Sequence, residues 1–353
     1  MDRPLLKDYT IEELRKLPEI GANYRAGQIF TWLHRGVKSA AEMTNLPKAL
    51  RETLDERYLI TAPKMIRRQI SSDGTRKYLW ELFDGNCVET VLMTYKHGVS
   101  VCVSTQAGCR MGCVFCASTK NGLARNLYPS EILDQIIFSG LDAGVRVAHI
   151  VLMGTGEPLD NYDNVRKFLT LVSAEGGLCI GARNISLSTC GLCENIDRLA
   201  QEHLQITLSV SLHAPNDELR RQIMPIARKY PIEQLLETCN RYFEVTGRRI
   251  SYEYIMIRGF NDTPECAREL GRRLSGPGAH VNMIRLNDIA ESPLKPSTPE
   301  SVKEFQRILE ASGVTATVRR RLGADIDAAC GQLRKKRIEE AAALEAVKSP
   351  RQG

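Results

Sequence analysis

Between Val99 and Val318 short apolar runs and amphipathic helical runs take turns, and that alternation constrains the fold more than any other feature. The strand-like runs are 99–105, 147–153, 185–188, 206–212, 250–257, 281–286 and 314–318, with helical patterns such as 129–143, 162–173 and 232–245 between them. Such spacing is the signature of parallel βαβ units. About six units predict an α/β fold with a partial (β/α)6 barrel, short of the full eight.

Two other periods precede it. Residues 1–62 read as short helices: Thr10 and Glu13 fit a capping box, Ile29, Phe30 and Leu33 share a helical face, and Pro47 opens a third helix. This is an N-terminal helical accessory domain. From Met65 to Thr105 the period falls to two, the runs 75–82, 87–93 and 99–105 alternating with Asp84-Gly85-Asn86 and His97-Gly98 as turns, which predicts a small antiparallel sheet leading into the cysteine loop, with 63–94 as a β extension. The core then spans 95–333. A basic, Ala/Glu-rich tail, 334–353, reads as a helix with a frayed end.

The chemistry starts just after the first core strand, in Gly108-Cys109-Arg110-Met111-Gly112-Cys113-Val114-Phe115-Cys116. Soft thiolates select iron–sulfur clusters, zinc or Cu(I). Zinc wants a fourth Cys or His close by, and this loop has none. Three cysteines on a [4Fe–4S] cube leave one iron open to a substrate or cofactor.

Other polar groups fall at predicted strand ends, the rim where parallel barrels keep their sites. They are the turn Met153-Gly154-Thr155-Gly156-Glu157-Pro158, Ser188, the run Ser211-Leu212-His213-Ala214-Pro215, and Asn287. Cys102 and Cys330, each taken alone, read as buried thiols. Cys190-Gly191-Leu192-Cys193 imitates a redox pair but has no partner pair, and reads as structural.

Composition sets the outer bounds. A hydrophobic fraction of 43% and a charged fraction of 25% fit a chain with a sizeable core. No run approaches the roughly 18 apolar residues of a membrane span, so no membrane partner is expected. Eleven cysteines without a signal peptide point to a reducing, cytoplasmic location. The net charge of +6 is modest, yet the runs Arg67-Arg68, Arg248-Arg249, Arg272-Arg273, Arg319-Arg320-Arg321 and Arg334-Lys335-Lys336-Arg337 permit contact with a phosphate backbone.

The cysteine spacing, with an aromatic before the last Cys, resembles the motif of the radical S-adenosylmethionine (SAM) enzymes. Beyond it, Val88-Glu89-Thr90-Val91, the run from Cys102 to Cys109, Gly156-Glu157-Pro158, Ser211 to Asp217 and Ala329-Cys330-Gly331-Gln332-Leu333 together resemble the RlmN-type RNA methyltransferases over nearly the whole chain. Thr155 and Arg285-Leu286-Asn287-Asp288 depart from the usual family residues, which bears on substrate breadth.

The resemblance implies a partial radical SAM barrel that methylates C2 of an adenine in 23S rRNA and in some tRNAs. It implies a [4Fe–4S] cluster on Cys109, Cys113 and Cys116, and two SAM molecules per turnover. One SAM methylates Cys330. The other, held by Gly156, Glu157, Ser188, Ser211, Leu212, His213 and Asn287, yields a 5′-deoxyadenosyl radical that activates the Cys330 methyl. Glu89 then accepts the adenine C2 proton, and Cys102 resolves the adduct through a disulfide. A low-potential, flavodoxin-like electron donor is implied, and the chain is expected to be a monomer. Two rivals stay open: a Cfr-type enzyme acting at adenine C8, and a non-catalytic iron–sulfur RNA-binding protein.

Overall fold

The structure is a computed structural model, and it describes residues 3–286, 294–320, 322–323 and 325–326. Asn287, Cys330 and the tail expected over 334–353 lie outside the described residues.

The N-terminal helices form as their caps dictate. Helix α1 (Ile11–Arg15) starts at Thr10, whose hydroxyl accepts from Glu13 N at 3.2 Å while the Glu13 carboxylate accepts from Thr10 N at 2.7 Å. Helices α2 (Asn23–His34) and α3 (Lys48–Arg57) follow, with Pro47 one position earlier than expected, as the cap itself. Leu14, Ile29, Phe30, Leu33, Leu50 and Leu54 build a core of their own. One buried charge pair fastens this unit to the rest: Lys7 pairs with Asp134, and Lys7 Nζ also donates to Thr61 O at 3.0 Å.

Strands β1 (Lys64–Ile70), β2 (Arg76–Glu81), β3 (Cys87–Tyr95) and β4 (Gly98–Cys102) pair antiparallel in succession. They do not make a sheet of their own, because the free edge of β4 pairs in parallel with a later strand. Strand β1 has no clear signal in the sequence. It is a mostly exposed edge, and a register shift between Met65 and Arg67 breaks its alternation.

A two-stranded antiparallel ladder, β5 (Gln106–Gly108) with β6 (Leu123–Asn126), brackets the cysteine loop. The remainder alternates: α4 (Pro129–Ala143), β7 (Val147–Leu152), α5 (Tyr162–Ser173), β8 (Ile185–Thr189), α6 (Cys193–Gln201) and β9 (Thr207–Ser211). Then come α7 (Asp217–Ile223), α8 (Ile232–Thr246), β10 (Ile250–Met256), α9 (Pro264–Leu274), β11 (Ala279–Arg285), α10 (Pro299–Ala311) and β12 (Thr315–Val318). The result is one ten-stranded mixed sheet, ordered β1-β2-β3-β4-β7-β8-β9-β10-β11-β12 and parallel from β4 onward.

One face of that sheet is apolar. Val101, Ile150, Leu187, Leu208, Val210, Tyr254 and Met283 pack there against Ile132, Phe168, Leu235 and Phe305 of the helices. Side chains alternate along a strand, so Glu89, Cys102, Ser188, Ser209, Ser211, Glu253 and Asn282 fall on the opposite face. Among the described residues, no helix is long and apolar enough to cross a membrane.

Replacing Lys7 with Met leaves Asp134 buried without its cation. The expected loss is about 3–5 kcal/mol, read as early unfolding of the N-terminal helices in urea; Lys7→Met with Asp134→Leu is expected to recover most of it.

Candidate active site

The cysteine loop is held by its own backbone. Cys109 N donates to Gly122 O at 3.0 Å, Cys116 N to Cys113 O at 3.1 Å, and the Thr119 hydroxyl to Cys116 O at 3.0 Å. Gly112 is required at the bend: its φ is +73°, and a Cβ there would stand 3.2 Å from Pro225 Cγ. Phe115 meets the His213 ring edge-on, with centroids 4.8 Å apart. Met111, Phe115 and Cys116 pack with Cys113, Ile223, Met224, Ile255, Ile257 and Leu286, an apolar shell that keeps water from the thiols.

These thiols fit a cluster. Burial pushes Cys109 up to about 12 and Cys113 higher still, with the neighbouring thiolates adding to both shifts. Positive iron reverses that balance and makes thiolates of them.

The glycine-rich turn after β7 is packed on the chain itself. A Cβ on Gly154 would lie 2.7 Å from Ser104 N, and one on Gly156, at φ +111°, 2.6 Å from Gln106 Cβ. The glycines therefore bring the turn against the β4–β5 connection. Glu157 N donates to Gln106 Oε1 at 2.8 Å. The buried Glu157 carboxylate accepts from Cys190 N at 2.7 Å and Leu159 N at 3.1 Å, and burial still raises its pKa.

Asp160 locks the turn to the loop, accepting from Gln106 Nε2 at 2.8 Å and Arg110 Nε at 3.0 Å. Around them the hydroxyls of Thr105, Ser118 and Thr155 are buried with no partner among the described residues. Orphaned buried polar atoms call for a ligand.

Ser188 and Ser211 stand at the ends of β8 and β9, on the polar face. Leu212 departs from that face: its side chain joins the helix-side core, its N–H goes to Glu253 O, and its carbonyl accepts from Arg220 Nε at 3.2 Å. His213 adopts φ +60° and accepts from Ile255 N on Nδ1 at 3.1 Å, leaving the proton on Nε2. Burial, aided by the Arg220 charge, lowers it to about 3, so the ring is neutral.

Arg220 itself escaped the sequence reading, because Asp217-Glu218-Leu219-Arg220-Arg221 looks like a solvated helix. It is fully buried and donates to the carbonyls of Cys190 at 2.9 Å and Tyr230 at 3.3 Å as well as Leu212, tying the ends of β8 and β9 together.

Across the sheet, Glu89 and Cys102 lie on neighbouring strands, with Val91 directly opposite Cys102. Glu89 pairs with Lys77 at 2.9 Å, both side chains almost wholly buried. Lys77 was also missed; one Lys in a strand reads as solvent-facing. Cys102 packs with Val91, Met93, Val151, Met153 and Leu322. Cys190 and Cys193 do not form a redox pair: the Cys190 thiol joins the shell around Cys113, raised by burial and by Glu157, while Cys193 sits in the main core.

Residues 103–270 match the Radical SAM superfamily, and residues 5–60 match the Ribosomal RNA large subunit methyltransferase N-terminal domain. A probable dual-specificity RNA methyltransferase RlmN of Clostridium perfringens is 52% identical over 336 residues, covering 94% of this chain and 97% of its own. The chain belongs to the RlmN family. The RlmN protein of Alkaliphilus oremlandii, also described as a probable dual-specificity RNA methyltransferase, is 50% identical, covering 96% of this chain and 100% of its own. A crystal structure of a radical SAM methyltransferase from Sphaerobacter thermophilus aligns with a TM-score of 0.88 at 43% identity, over 93% of this chain and 98% of that one. This RlmN-family chain is thus a SAM-dependent RNA methyltransferase with the radical SAM fold.

Gly156→Ala must push Gln106 aside and strain the backbone, at an expected cost of about 2–4 kcal/mol. Urea unfolding reads that loss, and iron bound on reconstitution is expected to fall with it. NMR of the His213 ring is expected to show no protonation step between about pH 5 and 8, since neutral imidazole is held down to about pH 3.

Proposed function

We propose that the enzyme methylates C2 of the peptidyl-transferase-centre adenine of 23S rRNA, and of the adenine beside the anticodon in tRNA, through a methyl group carried on Cys330. The observation that carries this reading is the pairing of β3 with β4, which puts a buried carboxylate, Glu89, on the same sheet face as a buried thiol, Cys102, two residues along from that thiol's partner Val91, with Leu322, eight residues before Cys330, in the small cluster around Cys102.

Each residue has a role. Cys330 attacks the methyl of a first SAM. A [4Fe–4S] cluster on Cys109, Cys113 and Cys116, when bound, supplies the electron that cleaves a second SAM. Glu157 takes that SAM's ammonium, and Gly156, Ser188, Ser211, Leu212, His213 and Asn287 are its other contacts, Leu212 through its backbone. Neutral His213 offers an Nε2–H donor. The 5′-deoxyadenosyl radical from that SAM would take a hydrogen atom from the Cys330 methyl, and the methylene left behind would bond to adenine C2. The adduct would give up one electron, returned to the cluster, and its C2 proton, taken by Glu89, which Lys77 holds. The Cys102 thiolate attacks the Cys330 sulfur: the S–S bond forms as the S–C bond breaks, and the freed carbon takes a proton to become the methyl of the product.

The fit with chemistry supports the scheme. Adenine C2 is electron-poor and does not attack a sulfonium carbon, so a radical route is needed, and the shell of Ile223, Met224, Ile255 and Ile257 keeps water from it. In this reading the parallel strands curl into the partial (β/α)6 barrel. The N-terminal helical domain and the basic runs hold the RNA, with the target adenine unstacked. The enzyme works as a cytoplasmic monomer fed by a low-potential, flavodoxin-like donor.

The test withholds the electron. With cluster and SAM but no reductant, mass spectrometry of tryptic peptide 322–334 is expected to show one added methyl on Cys330; an unmodified thiol on a cluster-loaded chain contradicts the reading. Glu89→Gln is expected to keep that methyl yet lower RNA product by roughly 10²-fold or more, the range for loss of a general base. Chromatography of the modified nucleoside separates a C2 product from the C8 product of a Cfr-type enzyme.

A further inference from the structure

The chain that leaves the sheet after β12 returns to the first hairpin. Arg319 N still donates to Met283 O at 2.9 Å, and its guanidinium reaches Met153 Sδ at 3.9 Å, just past the end of β7. Leu322 then enters the small cluster around Cys102. Gly323 turns at φ +64°, and its N–H donates to Asp73 Oδ2 at 2.8 Å. Asp325 completes the contact, its carboxylate accepting from Ser72 N at 2.9 Å and from the Ser71 hydroxyl.

The receiving turn is itself ordered. Asp73 Oδ1 accepts from Thr75 N at 2.9 Å, and Ser71 N donates to Thr75 O at 2.8 Å. These donors, the Gly323 N–H foremost, hold the Asp73 carboxyl well below the usual range, and the Ser71 hydroxyl does the same for Asp325. Ser71 and Asp325 are 254 residues apart in the chain, so the folded state alone brings them together.

Ser71, Ser72, Asp73 and Asp325 have no part in the reaction as described, yet they fix the chain five residues before Cys330. Five residues reach at most about 17 Å, and Leu322, fixed alongside, touches the cluster of Cys102. We propose that the β1–β2 turn anchors the arm carrying Cys330, with Ser71, Asp73 and Asp325 as positioning residues that set how often Cys330 meets Cys102. The inference rests on reading Cys330 and Cys102 as the working thiols.

Tether length sets the size of the effect. With the anchor, five residues separate Asp325 from Cys330; without it, eleven separate Cys330 from Arg319, the last residue bonded to the sheet. Effective concentration falls as about the −3/2 power of tether length, which gives a roughly threefold loss.

The experiment uses the full-length, cluster-loaded chain under anaerobic conditions, with neither SAM nor RNA, equilibrated in glutathione buffers. Each Cys102–Cys330 disulfide formed consumes one oxidised glutathione and releases two reduced ones. Alkylation and peptide mapping of that disulfide therefore give the effective concentration of the two thiols.

Asp73→Ala combined with Asp325→Ala is expected to lower it roughly threefold, with iron content and melting temperature unchanged. Asp73→Asn, which keeps a carbonyl acceptor for the Gly323 N–H, is expected to stay near wild type. The single, exposed-site variant Asp325→Ala, which removes the acceptors for Ser71 and Ser72, gives a second reading should the double variant lose stability, and is expected to lower the effective concentration as well. Anchor variants as effective as wild type would overturn the anchor alone. A wild-type chain that forms no Cys102–Cys330 disulfide at any glutathione ratio would overturn the thiol reading, and the anchor's role with it.

Discussion

The structure depends on β4 being paired on both edges. Its antiparallel partner β3 carries Glu89, and its parallel partner β7 ends in the turn that carries Gly156 and Glu157. The chain then leaves β4 at Cys102 and runs within four residues into β5 and the cysteine loop. A single strand thus fixes Glu89, Cys102, the Gly156–Glu157 turn and the cysteine loop relative to one another. The glycine contacts make this rigid, since Gly154 and Gly156 leave no space between the β7 turn and the backbone of residues 103–106.

Around that strand, charge is buried only where it is answered. Lys77 answers Glu89, main-chain N–H groups answer Glu157, and carbonyls answer Arg220. Buried pairs like these add little net stability and lose much when one partner goes. Their value lies in placement: they hold the Glu89 and Glu157 carboxylates in fixed positions among buried side chains.

Much of this was legible in the sequence for identifiable reasons. The Thr10–Glu13 box, the strand–helix alternation and the Cys109, Cys113 and Cys116 spacing are local patterns, set by neighbours along the chain. What escaped depends on distant partners. Lys77 and Arg220 look like surface charges until β3 and the carbonyls of Cys190 and Tyr230 are placed around them. Strand β1 was hidden by its bulge and exposed edge. Leu212 was read as lining the site, yet its side chain belongs to the core on the other face.

The central claim is that the methyl group passes through Cys330 before it reaches the RNA, and following its hydrogens tests this most directly. A turnover with SAM bearing a fully deuterated methyl is expected to move one deuterium into 5′-deoxyadenosine and to leave two in the methyl group of the RNA product, the third hydrogen coming from solvent. An RNA methyl that keeps all three deuteria would mean direct transfer from SAM, and would contradict a methyl carried and activated on the protein.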